Sequence, residues 1–89
     1  MNTFHLTIAT PDGNRFSGEA EGLYLRGAEG DLAILAGHTP FITSVQPGTC
    51  RVELPEEPDR CAALDGGLLT VARDRVTLLS GSFRWEETE

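Results

Sequence analysis

The chain has 89 residues, 39% of them hydrophobic, and a formal net charge of −7 at neutral pH. A chain this short makes one domain with a thin core, burying roughly 60–65% of the surface its unfolded form exposes, and its aliphatic content is that of a folded unit and not of a disordered segment. The negative charge speaks against nucleic acid and anionic membranes, which need clustered cations. All seven basic residues are arginine, which removes the lysine of a Walker motif, a Schiff base or a Ser-Lys dyad.

Phe4, Leu6 and Ile8 alternate with His5, Thr7 and Ala9, the period-two pattern of a strand with one buried face. Pro11-Asp12-Gly13-Asn14 then turns the chain, and Arg15 to Ser17 begins a return strand. Ala20 to Arg26 alternates again, and Leu32 and Ile34 do likewise after the next turn. Phe41 to Gln46 and Thr49 to Leu54 read as strands joined at Pro47-Gly48, an order that suits a type II turn and predicts a hairpin. Arg60 to Leu64, Leu68 to Ala72 and Val76 to Leu79 complete the set. No window repeats apolar residues at helical spacing, so the expected fold is all-β, with two packed antiparallel sheets or a flattened barrel over residues 1–80. Residues 81–89 break the alternation and read as a solvated tail, against which Phe83 and Trp85 stand as alternate aromatics able to cover one end of the sandwich.

The longest apolar run, Leu32 to Ala36, is far short of the roughly 20 residues that span a bilayer. The amino terminus has neither the basic start nor the apolar middle of a secretory signal, so a cytoplasmic location is the default expectation. A two-residue turn at Pro55-Glu56 would set Cys50 opposite Cys61, but Pro55 to Asp59 reads as a longer loop, which favours two reduced, half-buried thiols over a bridge.

His5, His38, Cys50 and Cys61 are scattered, with no Cys-x-x-Cys or His-x-x-x-His spacing to fix a metal. No Gly-x-Ser-x-Gly elbow accompanies either histidine, and the acidic runs Glu56 to Asp59 and Glu86 to Glu89 lack the spacing of a calcium loop. No catalytic residue, cofactor or metal is expected. What remains is Arg26 to Pro40. Its glycines shape one turn that presents Glu29 and Asp31 and a second that carries His38, and a short strand between them sets the two turns at its opposite ends. Turn geometry requires neither the carboxylates nor the imidazole.

Several segments together resemble the epsilon subunit of F-type ATP synthases, called delta in mitochondria. They are Phe16-Ser17-Gly18-Glu19, the run from Gly27 to Pro40, Pro47-Gly48, Gly66 to Val71 and Val76 to Leu79. The resemblance implies a ten-stranded β-sandwich at the foot of the central stalk, a non-catalytic rotor part between the gamma subunit and the membrane c-ring. It implies peripheral attachment at the cytoplasmic face of a bacterial membrane, without insertion, and proton- or sodium-driven ATP synthesis by the whole complex. The ring-side contacts it implies are Glu29, Gly30, Asp31 and His38. The 89 residues do not reach the helical hairpin that restrains ATP hydrolysis in longer members, and both a short member of the family made only of the sandwich and a piece of a longer one fit that length. Exposed edge strands leave weak self-association open. The rival readings are a free-standing ligand-binding β-sandwich, which needs a pocket of convergent polar groups, and a small cofactor-free enzyme, which needs clustered titratable groups.

Overall fold

The computed structural model describes residues 2–86, which form ten strands and no helix. The strands are β1 (Phe4–Thr10), β2 (Gly13–Ala20), β3 (Gly22–Gly27), β4 (Gly30–Leu35), β5 (Phe41–Val45), β6 (Gly48–Glu53), β7 (Arg60–Leu64), β8 (Gly67–Ala72), β9 (Arg75–Leu79) and β10 (Phe83–Trp85). Their order is β10-β7-β6-β3-β5-β8-β9-β1-β2, with β4 on the other side of β3. β10, β7, β6, β3 and β4 form one layer, and β5, β8, β9, β1 and β2 form the other. The family-style sandwich is therefore also a nearly closed barrel.

Alternation decides which residues fill it. Phe4, Leu6 and Ile8 of β1, Leu23 of β3, Ile34 of β4, Val52 of β6, Leu69 of β8 and Val76 and Leu78 of β9 are all at most 2% exposed. They meet between the layers, while their sequence neighbours point outward. Every ladder among the described residues is antiparallel except β1 with β9, which is parallel. The exception arises because the amino-terminal strand inserts beside the last long strand of its layer, far from it in sequence, where no hairpin dictates direction.

Pro47-Gly48 does not close a hairpin. β5 pairs with β8, β6 pairs with β7, and both touch the same edge of β3, Val45 at Gly27 and Arg51 to Glu53 at Tyr24 to Gly22. β5 and β6 thus run on in one direction along β3, and Pro47-Gly48 is the kink at which the strand passes from one layer to the other. Gln46 secures the kink, its N–H donating to the Arg26 carbonyl (2.9 Å) and its Nε2 to the Gly27 carbonyl (3.1 Å). A proline without an N–H beside a glycine fits a corner as well as it fits a turn.

The sheet also continues past residue 80, which corrects the reading of a tail beginning at Gly81. β10 pairs with β7, Phe83 opposite Leu64 and Trp85 opposite Ala62. Trp85 spans from β10 to the free edge of β2. Its ring lies edge-on to Phe16 (6.0 Å) and Phe83 (5.0 Å), Arg60 covers it (3.9 Å), and its Nε1–H donates to the Arg15 carbonyl (3.2 Å). Three residues suffice for a strand here because an aromatic clasp closes the barrel. The acidic Glu87 to Glu89 lie outside the described residues.

The β7–β8 turn is held from beneath. The buried Ser80 hydroxyl donates to the Gly66 carbonyl (2.6 Å), and Ser82 N–H donates to Asp65 Oδ1 (3.1 Å). A Cβ on Gly66 would stand 2.9 Å from the Val45 carbonyl oxygen, and one on Gly67 (φ +154°) would overlap that of Leu79. Gly37 (φ +83°) has open space around it. Gly67→Ala is therefore expected to cost more than about 3 kcal/mol, and Gly37→Ala only about 1 kcal/mol. Urea denaturation of the two variants measures the difference.

Candidate docking surfaces

The β3–β4 turn is tight, with Gly27 paired to Gly30 around Ala28 and Glu29. Gly30 takes φ +123°, which lets the chain reverse in two residues. Asp31 is 87% exposed and pairs with Arg26 at 3.3 Å, whereas the exposed Glu29 makes no ion pair among the described residues. Glu29, Gly30 and Asp31 therefore form one acidic corner, with a single arginine answering its two carboxylates.

His38 sits elsewhere. It follows the far end of β4, its N–H donating to the Leu35 carbonyl (3.1 Å), its Nδ1 2.6 Å from the Thr39 carbonyl and its ring 4.9 Å from that of Phe41. β4 is six residues long, which at about 3.3 Å per residue separates the two turns by roughly 20 Å. The two turns lie at opposite ends of β4, as the length of the strand between them implies, so of the four residues that the resemblance assigns to the ring side, Glu29, Gly30 and Asp31 share one end and His38 stands at the other.

The outer face of the β5-β8-β9-β1 layer carries what the sequence reading did not single out. Ile42 is 67% exposed, Leu79 46% and Leu68 43%, whereas Leu35, 49% exposed, lies on β4 of the other layer. In register, Ser44, Leu68, Leu79 and Ala9 form one row, and Ile42, Thr70, Thr77 and Thr7 form the next. Charge begins only in the following row, with Arg75 and Glu19 on either side of His5. The signal was present as adjacent apolar pairs. Phe41-Ile42, Leu68-Leu69 and Leu78-Leu79 cannot send both members inward from one strand, so one of each pair must face out.

His5 lies in that charged row, its Nε2 3.3 Å from Ser17 Oγ and its Nδ1 3.6 Å from Glu19 Oε2. The order of groups is that of a serine-hydrolase triad. The group stands on an open sheet face, however, where β1 is laddered to β2 on one side and β9 on the other, which commits its backbone N–H groups to the sheet and away from an oxyanion. Among the described residues no group of three or more His, Cys, Asp or Glu is placed to hold a metal, and no helix is long and apolar enough to cross a membrane.

The opposite outer face is polar and braced. Arg51 stacks over Tyr24 (4.2 Å) and binds Asp59 (2.6 Å), and Tyr24 donates to Glu53 (2.8 Å). The hydrogen bond to Glu53, reinforced by burial and the carboxylate's charge, raises the Tyr24 pKa. On the same face Cys61 lies opposite Arg51, while Cys50 lies opposite Ala62 and faces the core. That one-residue offset puts the two thiols on opposite sides of the sheet, and both are free. Burial pushes the Cys50 thiol from an ordinary 9.0 up to about 12. Native protein at pH 8 is expected to label at Cys61 with iodoacetamide and at Cys50 only after denaturation. The unfolded Cys50 ionises near 9.0 while the buried one keeps its proton to about 12. Stability is thus expected to fall as pH rises through that window, and less steeply in Cys50→Ala, as alkaline urea titrations would register.

A ten-stranded sandwich with an acidic corner and an uncharged sheet face defines a class of β-sandwich, and comparison with known proteins narrows it. Residues 3–86 match the family model described as ATP synthase, Delta/Epsilon chain, beta-sandwich domain. The chain is 39% identical over 80 residues to the ATP synthase epsilon chain of Delftia acidovorans and 40% identical over 80 residues to that of Polaromonas naphthalenivorans, in each case covering 90% of this chain and 58% of the relative. Its fold matches a chain in the Euglena gracilis mitochondrial ATP synthase (OSCP/F1/c-ring), with TM-score 0.89, 21% identity and coverage of 96% of this chain and 54% of that one. It also matches a chain in the Tetrahymena thermophila mitochondrial ATP synthase central stalk and c-ring, with TM-score 0.75, 15% identity and coverage of 89% and 63%. The chain belongs to the ATP synthase delta/epsilon family, as its β-sandwich domain. It spans little more than half the length of the curated relatives it matches.

Proposed function

We propose that this sandwich is a non-catalytic part of the rotor of an F-type ATP synthase, linking the gamma subunit to the c-ring at the cytoplasmic face of a bacterial membrane. In this role it serves ATP synthesis driven by proton or sodium flow. The observation that carries the reading is the relation of its two surfaces. The uncharged band of Ile42, Leu68 and Leu79 is the face of a sheet, and Glu29, Gly30 and Asp31 stand at the end of a strand. A domain so built can lie side-on against a shaft and end-on against a ring.

Gamma takes the uncharged face, where apolar area and threonine methyls supply adhesion without a charge to desolvate. The ring takes the acidic corner, where charge steers and registers the contact. His38 does not share the ring contact. It stands at the other end against Phe41, which begins the strand that carries Ile42, and belongs with the gamma side. Docking is the whole role proposed for residues 2–86, and inhibition of ATP hydrolysis is no part of it.

In the assembled complex, Glu29→Lys with Asp31→Lys is expected to reduce ion-driven ATP synthesis several-fold at low salt while the subunit still co-purifies with gamma. Ile42→Asp with Leu68→Asp is expected to abolish co-purification with gamma, as an unpaired carboxylate in a dry contact costs several kcal/mol. Unchanged coupling in the first variant would remove the ring contact, and retained gamma binding in the second would remove the gamma face.

A further inference from the structure

Among the described residues, β4 is the one long strand with an open edge free of any bulge or proline, and there it pairs with β3 alone. β10 is short and clasped by Trp85, and β2 carries the register shift opposite Ile8 and Ala9. Bulges, prolines and charged side chains are the usual guards of an edge, and Gly30-Asp31-Leu32-Ala33-Ile34-Leu35 has only Asp31, at its turn end and paired with Arg26.

The alternation of the β3–β4 ladder fixes which backbone groups are free. Bonded and non-bonded pairs alternate along an antiparallel ladder, and the pair closing a two-residue turn, Gly27 with Gly30, is a bonded one. Leu32 and Ile34 therefore bond to β3, and the N–H and C=O groups of Asp31, Ala33 and Leu35 point to the open edge. Two contacts agree with this phase. The carbonyl of Arg26, opposite Asp31, turns away from β4 to accept the Gln46 N–H, and the Leu35 carbonyl, facing outward, accepts the His38 N–H.

We propose that β4 is a homodimerisation edge, pairing antiparallel with β4 of a second copy in the register that sets Ala33 opposite Ala33. This register alone uses every outward group. Ala33 bonds its own counterpart, and Asp31 and Leu35 bond each other's counterparts, the Leu35 carbonyl accepting through its second lone pair. It is also favourable in charge. Each Asp31 lies against a Leu35 of the other copy, the two Asp31 residues stand roughly 13 Å apart, and each Glu29 turn falls beside the His38 turn of the other copy. Any slip toward the turn would lose edge bonds and bring the acidic corners together. The exposed methyl of Ala33 and half-exposed side chain of Leu35 gain apolar neighbours in the joined sheet. The net charge of −7 on each copy opposes association, so moderate salt strengthens it.

The acidic corner lies at one end of this edge, so a dimer would hide the surface offered to the ring. That consequence rests on the proposed function, whereas the pairing itself does not.

Sedimentation equilibrium of the full chain from micromolar to millimolar concentration tests it, with the mass expected to double. Ala33→Pro removes the central outward N–H but no bond to β3, so its thermal melt should stay close to that of the parent while dimerisation weakens about tenfold or more. In a Cys61→Ser background, Ala33→Cys should oxidise to a covalent dimer and Ile42→Cys should not. A chain that stays monomeric, a dimer that Ala33→Pro leaves as tight as before, or cross-linking through Ile42→Cys in place of Ala33→Cys would overturn the proposal. None of these measurements involves gamma or the ring, so failure here leaves the docking assignment standing.

Discussion

Everything in this domain depends on two thin layers sharing one apolar interior. Neither layer covers its inner face alone, and Leu6, Leu23, Ile34, Leu69 and Leu78, all wholly buried, lie between them. Each such side chain gains about 1.5–3 kcal/mol on burial, and in a chain this short few are available to offset the conformational entropy of ordering it. The layers must therefore be held in register along the whole barrel. The kinked passage from β5 to β6 does this at one side, and the Trp85 clasp at the other. Between them they turn two open sheets into a nearly closed barrel.

The strands were legible because period two is a local property. Phe4, Leu6 and Ile8 name their own buried face whatever they pair with, and the same holds for Val52, Val71 and Val76. Pairing is not local. Pro47-Gly48 has the chemistry of a turn and the position of a corner, and only the distant Gly27 and Arg26 backbone distinguishes them. β10 was hidden for a similar reason. Its three residues carry too little pattern to register as a strand, and Trp85 is ordered by Phe16, Arg15 and Arg60, all remote in sequence. The cysteines show how fine the margin is, since one residue of register separates facing thiols from thiols on opposite sides of a sheet.

The candidate site was legible in part. The acidic corner could be read from its glycines and carboxylates, and family resemblance singled out the same stretch. Its division from His38 followed from a straight six-residue strand. The uncharged face could not be read as a face, because Ile42, Leu68, Leu79 and Ala9 come from four strands and meet only through register. Each is unremarkable alone, since single exposed apolar residues are common on soluble proteins. Their gathering into uncharged rows is what suggests a partner.

The proposed role rests on those two surfaces meeting different partners. A photoreactive cross-linker placed at position 29, and separately at position 42, within the assembled synthase would test this most directly. The account predicts adducts with the c-ring from position 29 and with gamma from position 42. Adducts of both positions with the same subunit, or with the two partners exchanged, would contradict it.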